Sequence, residues 1–325
     1  MFARILAVTL AMATTAGGST TPHVDAAAPV AAERDVHPLL AALAVAGDDR
    51  ETGGLTNEQH YLASNERDLH LIAGDVRDRG GTLIAVAADP GYILAAWAAP
   101  TAVIFVDLDP AVVQLHRIYA AMFRHAETAA AFLALWSDAG AVDAARLVRA
   151  AAVDEADATR LLALFSEARP EVFRRFTDLD RRMRAADVAW LLGDDEHYRR
   201  VRELVRGGKV HALRGDLTRA GAARALGEQL TGHGHTVGLL YLSNIEQYFF
   251  YNHDFRANIA GLPFAADGLV LRTLPGRPAG FEYIVEDGAH FQSALQDRRV
   301  RSVYRLRGFR RGDHLVGRTR HRIDP

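Results

Sequence analysis

Several short segments set polar side chains where they could do chemistry, most of them just after an apolar run. In TAVIFVDLD, Asp107 and Asp109 close such a run. An ionised carboxylate is acceptor-only and can take two hydroxyl donors at once. Both lie roughly 20 residues beyond the turn at Asp89-Pro90-Gly91, the separation at which nucleotide-binding folds carry a ribose-binding carboxylate. Asp109 also precedes Pro110, so it is equally suited to cap a helix with proline at its first position. Asp216 and Leu217 follow the KVHAL run; Asp216 is either a ligand acceptor or a cap for a helix starting near Thr218. In YLSNIEQYFF, the Asn244 amide oxygen can orient a donor while Tyr248 stacks. Glu246 can serve as a base if burial raises its pKa. The same segment reads as a capping box, with Ser243 at the cap and Glu246 three residues on. Asn65 and Glu66, in the SNE segment, can close over the same crevice. Arg256 and Asn258, and then Arg272-Thr273, are candidates to hold an anionic group.

Other chemistries are excluded by residues the chain lacks. Without cysteine there is no disulfide, thiolate nucleophile or cysteine-ligated metal centre. No HExxH, GxSxG or Walker A sequence occurs, which argues against a zinc hydrolase, an α/β-hydrolase and an NTPase. No metal site is expected. The formal net charge is -2, and only the C-terminal run from Arg298 to Arg322 is strongly basic. That run reads first as a solvated strand face and tail. The expected partner is a small-molecule ligand, not nucleic acid.

The elements that must position these residues follow from periodicity. Thr82–Ala88 and Thr101–Val106 are short, nearly unbroken apolar runs, as expected of strands buried on both faces. Lys209–Leu213, Thr236–Leu242 and Gly268–Thr273 extend the series. Phe281–Glu286 and Ser302–Arg307 read as a final antiparallel pair. Helices are expected over 36–45, 57–72 (capped by Ser64), 92–99, 110–123 and 218–231, and from Ser243-Asn244 through Tyr251. Asp89-Pro90-Gly91 reads as a sharp turn. Residues 126–206 hold no strand candidate, only amphipathic helices over about 127–137, 141–151, 155–168, 170–185 and 195–206, with Pro170 separating two of them. This is the β-α-β grammar of a parallel sheet carrying a helical insertion.

At the N-terminus, Arg4, the apolar run Ile5–Ala13 and the small residues after it read as a signal peptide over 1–16. An Ala/Thr/Pro/Gly-rich linker over 17–35 follows. The mature chain is then expected in the periplasm or secreted, with no membrane contact after cleavage; it is cytoplasmic if the N-terminus is not a functional signal. The remaining divisions are 36–125, with N-terminal helices and the first half of the sheet, the insertion over 126–206, and 207–325, with the second half and a basic tail.

The order of elements resembles the class I S-adenosylmethionine-dependent methyltransferase fold. The fold class this implies is α/β, with a Rossmann-like, mostly parallel seven-stranded sheet of five parallel strands and a terminal hairpin. GGTLIAVAADPGY, FVDLD, GGKVHALRGDL and YLSNIEQYFF are similar, more closely, to segments of an uncharacterised bacterial family with that fold, in which SNE-type and YLSN-type segments recur. The resemblance covers about 80–125 and 207–307. It implies S-adenosylmethionine as cofactor, with Asp89 near its amino group, Asp107 or Asp109 on the ribose hydroxyls, and Asp216 and Leu217 at the adenine. Ser243, Asn244, Glu246 and Tyr248 would handle the acceptor. The glycine-rich loop of the family is here Val86-Ala87-Ala88-Asp89-Pro90-Gly91, in which only Gly91 is glycine. The function implied is a methyltransferase-like protein acting on a small molecule. Two alternatives stand beside it: a non-catalytic exported ligand-binding protein on a degenerate form of the fold, and a secreted hydrolase pairing Glu246 with Asp216 or Asp107.

Overall fold

A computed structural model describes residues 35–49, 59–275, 281–308 and 318–322. The expected signal peptide and most of the expected linker lie outside the described residues. Helix α1 (His37–Ala46) comes first. Residues 59–68 then run without regular structure into a 3-10 turn, Leu69–Ile72, and a single helical turn, α2 (Ala73–Val76). The helix expected over 57–72 is therefore absent from its described part. Backbone groups of this segment bond instead to distant side chains, Ser64 N to Asp89 and Glu66 O to Arg175.

Strand β1 (Thr82–Ala85) leads into α3 (Asp89–Ala98), β2 (Ala102–Asp107) and α4 (Pro110–His125). Asp89, Pro90 and Gly91 form the first turn of α3 and not a free turn. Pro90 is tolerated there because first-turn N–H groups have no intrahelical partner. Four helices follow: α5 (Ala129–Trp136), α6 (Ala141–Ala150), α7 (Glu155–Ala185) and α8 (Asp195–Arg206). Pro170 lies inside α7 and does not divide it, although it removes one backbone bond. Burial of Leu161, Phe165, Ala168, Val172, Phe176, Leu179 and Met183 along one stripe holds the helix through that gap.

The sheet resumes with β3 (Val210–Arg214), α9 (Ala222–Gly232) and β4 (Val237–Ser243). After β4 the chain makes only a 3-10 turn, Ile245–Gln247, where a longer helix was expected. Then come α10 (His253–Ala260), β5 (Phe264–Pro275), β6 (Phe281–Asp287), α11 (Gly288–Gln296), α12 (Val303–Gly308) and β7 (Arg318–Arg322). Ser302–Arg307, expected as a strand, falls mostly in α12. Val303 and Leu306 are buried and Tyr304 is exposed, the i, i+3 spacing of a helix face and not the alternation of a strand.

The body is a mostly parallel six-stranded sheet. β3, β2, β1, β4 and β5 run parallel in that order, and β6 returns antiparallel to β5. Segment β7 pairs antiparallel along β6. Alternating strand residues feed two cores, one on each face. Leu83, Val103, Phe105, Leu239 and Tyr241 pack under α3, α4 and the helices that follow α4. Ile84, Ile104, Leu240, Leu242 and Val270 pack under α1, α9, α10, α11 and α12. Chain order reverses between β1 and β4, and open α/β sheets bind ligands at the carboxyl ends of the strands beside such a reversal.

Candidate functional site

A cavity of about 270 Å³ opens at that reversal. Its lining among the described residues comes from the ends of β1 (Val86, Ala87), β2 (Asp107, Leu108, Asp109) and β4 (Ser243, Asn244, Ile245, Tyr248). Residues of the irregular segment, among them Tyr61, Ser64 and Asn65, close one side.

Asp107 ends β2. Its Oδ2 accepts the Ala87 N–H at 3.1 Å and its Oδ1 accepts the Asp109 N–H at 2.9 Å. Burial pushes this carboxyl up to about 6, against the pull of those two N–H groups. Asp109 caps α4 by accepting from Ala111 N at 2.8 Å. It also lines the cavity, with His60 Nδ1 2.8 Å from its Oδ2. Capping and ligand access are therefore compatible at Asp109.

Two cavity residues hold left-handed backbone without being glycine: Ala87 at φ 71° and Ser243 at φ 49°. Such a conformation costs a non-glycine residue roughly 1–2 kcal/mol. The loop after β1 thus takes at Ala87 the conformation a glycine would supply.

Behind Ser243 lies a buried carboxyl group. Glu66 Oε1 accepts from Tyr241 Oη (2.6 Å), Ser243 Oγ (2.9 Å) and Thr273 Oγ1 (2.9 Å), while Oε2 has no hydrogen-bond partner. Burial raises the Glu66 pKa, and the three hydroxyl donors oppose that rise. A second buried group pins the same segment. Arg175, from α7, donates through Nε to Asp89 Oδ2 at 2.9 Å and through Nη1 to Glu66 O, and Asp89 Oδ1 accepts the Ser64 N–H at 2.7 Å.

Of the residues singled out in the sequence, Asn65, Asp107, Asp109, Ser243, Asn244 and Tyr248 are brought together around the cavity. The others are not among its lining. Glu66 is 1% exposed and acts on the cavity only through Ser243. Asp89 is fully buried against Arg175. Gly91 serves packing: a Cβ there would fall 2.2 Å from Phe105 Cε1, so glycine lets α3 sit directly on β2. Asp216 Oδ1 accepts from Thr218 N and Thr218 Oγ1, and Arg219 Nε lies 3.3 Å from its Oδ2, so it holds a turn; it caps no helix, because α9 starts only at Ala222 with Gly221 at its N-cap. Leu217 packs on the core beneath α9 and α10.

Glu246 is buried, with Arg272 Nε 2.6 Å from its Oε2 and Tyr251 Oη donating to Oε1 at 2.5 Å. It is neither a base at the cavity nor part of a capping box, since Ser243 is turned to Glu66. Neither pairing proposed for a hydrolase is assembled, because Glu246 and Asp216 are both engaged away from the cavity. Arg272 is buried between Glu246 and Glu286 and over the Phe291 ring, so it is not an anion site. Arg256 clamps the carbonyls of Tyr251, Leu295 and Val300, and Asn258 donates to those of Leu217 and Arg219. Sequence reasoning passed over Tyr61, Leu108, Val112 and Ile245 of the lining and the Arg175 anchor. Adjacency to Asn65, Asp107 and Asn244 was the available signal for the lining residues; Arg175 had none.

A family model described as a domain of unknown function (DUF7790) matches residues 61–314. No curated protein matches the sequence. Among solved structures, the rRNA methyltransferase aviRa from Streptomyces viridochromogenes aligns at 14% identity and a TM-score of 0.34, over 76% of this chain and 99% of that one. A likeness that loose carries no argument about function.

Proposed function

The chain belongs to the DUF7790 family, and from that premise we propose that it is an S-adenosylmethionine-dependent, methyltransferase-like protein acting on a small molecule. In this reading β7 completes a seven-stranded methyltransferase-type sheet. The observation that carries the proposal is Asp107: a carboxylate ending β2, facing a cavity at the strand reversal.

The residues suit the ribose half of the cofactor. Asp107 gives each oxygen to one backbone N–H and keeps a further lone pair on each for a pair of hydroxyls. The left-handed Ala87 supports the tight loop that such a ligand needs. The residues do not reproduce an adenine-binding carboxylate, since Asp216 is engaged in its own turn. Leu108 and Val112 offer an apolar wall in its place. When bound, the sulfonium supplies an already activated methyl group, so the protein's task is to position the acceptor. Asn244 orients an acceptor N–H or O–H, Tyr248 at the mouth stacks against it, and Ser243 is held in place by Glu66.

A second reading, ligand binding without catalysis, draws on the burial of Glu246, which leaves the expected base out of reach. Calorimetric titration of the full chain with S-adenosylmethionine and S-adenosylhomocysteine tests both. Micromolar binding, about −8 kcal/mol, weakened at least tenfold by Asp107→Ala, is expected. No binding at millimolar ligand, or no effect of Asp107→Ala, refutes the cofactor assignment. Binding without methyl transfer to any amine or hydroxyl acceptor favours the second reading.

A further inference from the structure

Beside the cavity, and sharing Ala63, Ser64 and Asn65 with it, runs an open groove of about 810 Å³ against α7. Five guanidinium groups line it, against the carboxylates of Glu171 and Asp178. Two of the five are already balanced: Arg175 by Asp89, and Arg182 by Asp68 and Asp178. Arg181 also bonds Asp178. Arg67 and Arg174 are exposed and hold no hydrogen bond or ion pair among the described residues. Arg175 is 7% exposed, and its Nη2 is without a hydrogen-bond partner. Positive charge is therefore in excess here, on a chain whose formal net charge is -2.

We propose that this groove binds a phosphate group carried by the acceptor substrate, with Arg67 and Arg174 as its main contacts. Guanidinium forks match phosphate oxygens in bidentate pairs, and exposed arginines that hold no hydrogen bond have few contacts to give up on accepting one. The volume lies in the range of pockets that enclose small ligands. Because the groove and the cavity share a wall, a phosphate held at Arg174 would leave the rest of a small molecule free to reach Asn244. The word acceptor rests on the transferase reading; the anion site does not.

The test uses the full chain and inorganic pyrophosphate as probe, followed by calorimetry or by phosphorus NMR line width. A parallel arm uses a short single-stranded oligoribonucleotide. The variant is Arg67→Ala/Arg174→Ala, both exposed, with circular dichroism confirming the fold. Pyrophosphate binding by the parent, weakened about tenfold or more in the variant while S-adenosylmethionine binding is unchanged, is expected. No pyrophosphate binding at millimolar concentration, or equal binding by parent and variant, overturns the proposal. Binding of the oligonucleotide alone, lost in the variant, overturns its small-molecule form and gives the groove to a nucleic-acid strand. If S-adenosylmethionine fails to bind while pyrophosphate binds as expected, the transferase reading falls and the anion site stands.

Discussion

Arg175→Met should destabilise the protein far more than an ordinary arginine truncation, because of what it leaves behind. The side chains of Arg175 and Asp89 are 6% and 0% exposed, with Nε and Oδ2 2.9 Å apart. Methionine fills much of the volume of the arginine stem but leaves the Asp89 carboxylate buried with one backbone donor, Ser64 N. Breaking a buried pair on one side costs about 3–5 kcal/mol. The Glu66 carbonyl loses its Arg175 donor too, for about 1 kcal/mol more. For a chain of this size the total, about 4–6 kcal/mol, should lower Tm by roughly 6–10 °C. Asp89→Asn/Arg175→Met removes the stranded charge and should recover at least half of the loss. Urea unfolding followed by circular dichroism, with unchanged slope, gives both numbers. A loss under about 1 kcal/mol for Arg175→Met, or strictly additive single and double variants, would refute the buried-pair argument.

Two further outcomes follow from the cavity. Ala87→Gly relieves a left-handed alanine, worth roughly 1–2 kcal/mol, and loosens the unfolded chain by roughly 0.4–1 kcal/mol. The variant should be up to about 1.5 kcal/mol more stable in urea, and a loss of about 1 kcal/mol would contradict the strain. Glu66→Gln mimics the protonated acid. Because burial raises the folded pKa of Glu66 above its unfolded 4.5, its contribution is fully present below 4.5 and is lost as pH rises through the folded value. The stability of Glu66→Gln relative to the parent should therefore climb with pH above 4.5, and a difference that stays flat between pH 5 and 8 would falsify this assignment.

The strands were legible because burial on both faces leaves nearly unbroken apolar runs, as at Thr82–Ala85 and Ala102–Asp107. The start of α4 was legible because Asp109 and Pro110 act locally. The irregular segment before Leu69 was not, because its conformation is fixed by Asp89 and Arg175, and the latter lies 109 positions from Glu66. The same reason governs the site. Asp107, Asn244 and Tyr248 could be read as cavity residues from their place at strand ends. Asp89, Glu66 and Glu246 looked similar as bare carboxylates, yet each is claimed by partners that only the fold supplies: Arg175, the three hydroxyls and Arg272. Asp216 shows the converse, a carboxylate engaged by near neighbours, Thr218 and Arg219, in a turn that the sequence read as a helix start.

The helices α5 to α8 also bear on how the sheet assembles. Val103 pairs with Val210 across them, so β3 docks on β2 only after a loop of roughly a hundred residues has closed. The entropy of closure grows with the logarithm of length, and each doubling adds only about 0.6 kcal/mol. Against a crossover of some thirty residues, the longer connection costs the native state roughly 1 kcal/mol. Its weight falls on kinetics, since a pairing of such high contact order waits on collapse of the intervening helices. The pairing of β3 on β2, through Asp107 and Arg214, and that of β4 on β1, which spans still more of the chain, should therefore both gain protection late in refolding. The geometry of the Asp107 carboxylate would be completed at that same late step.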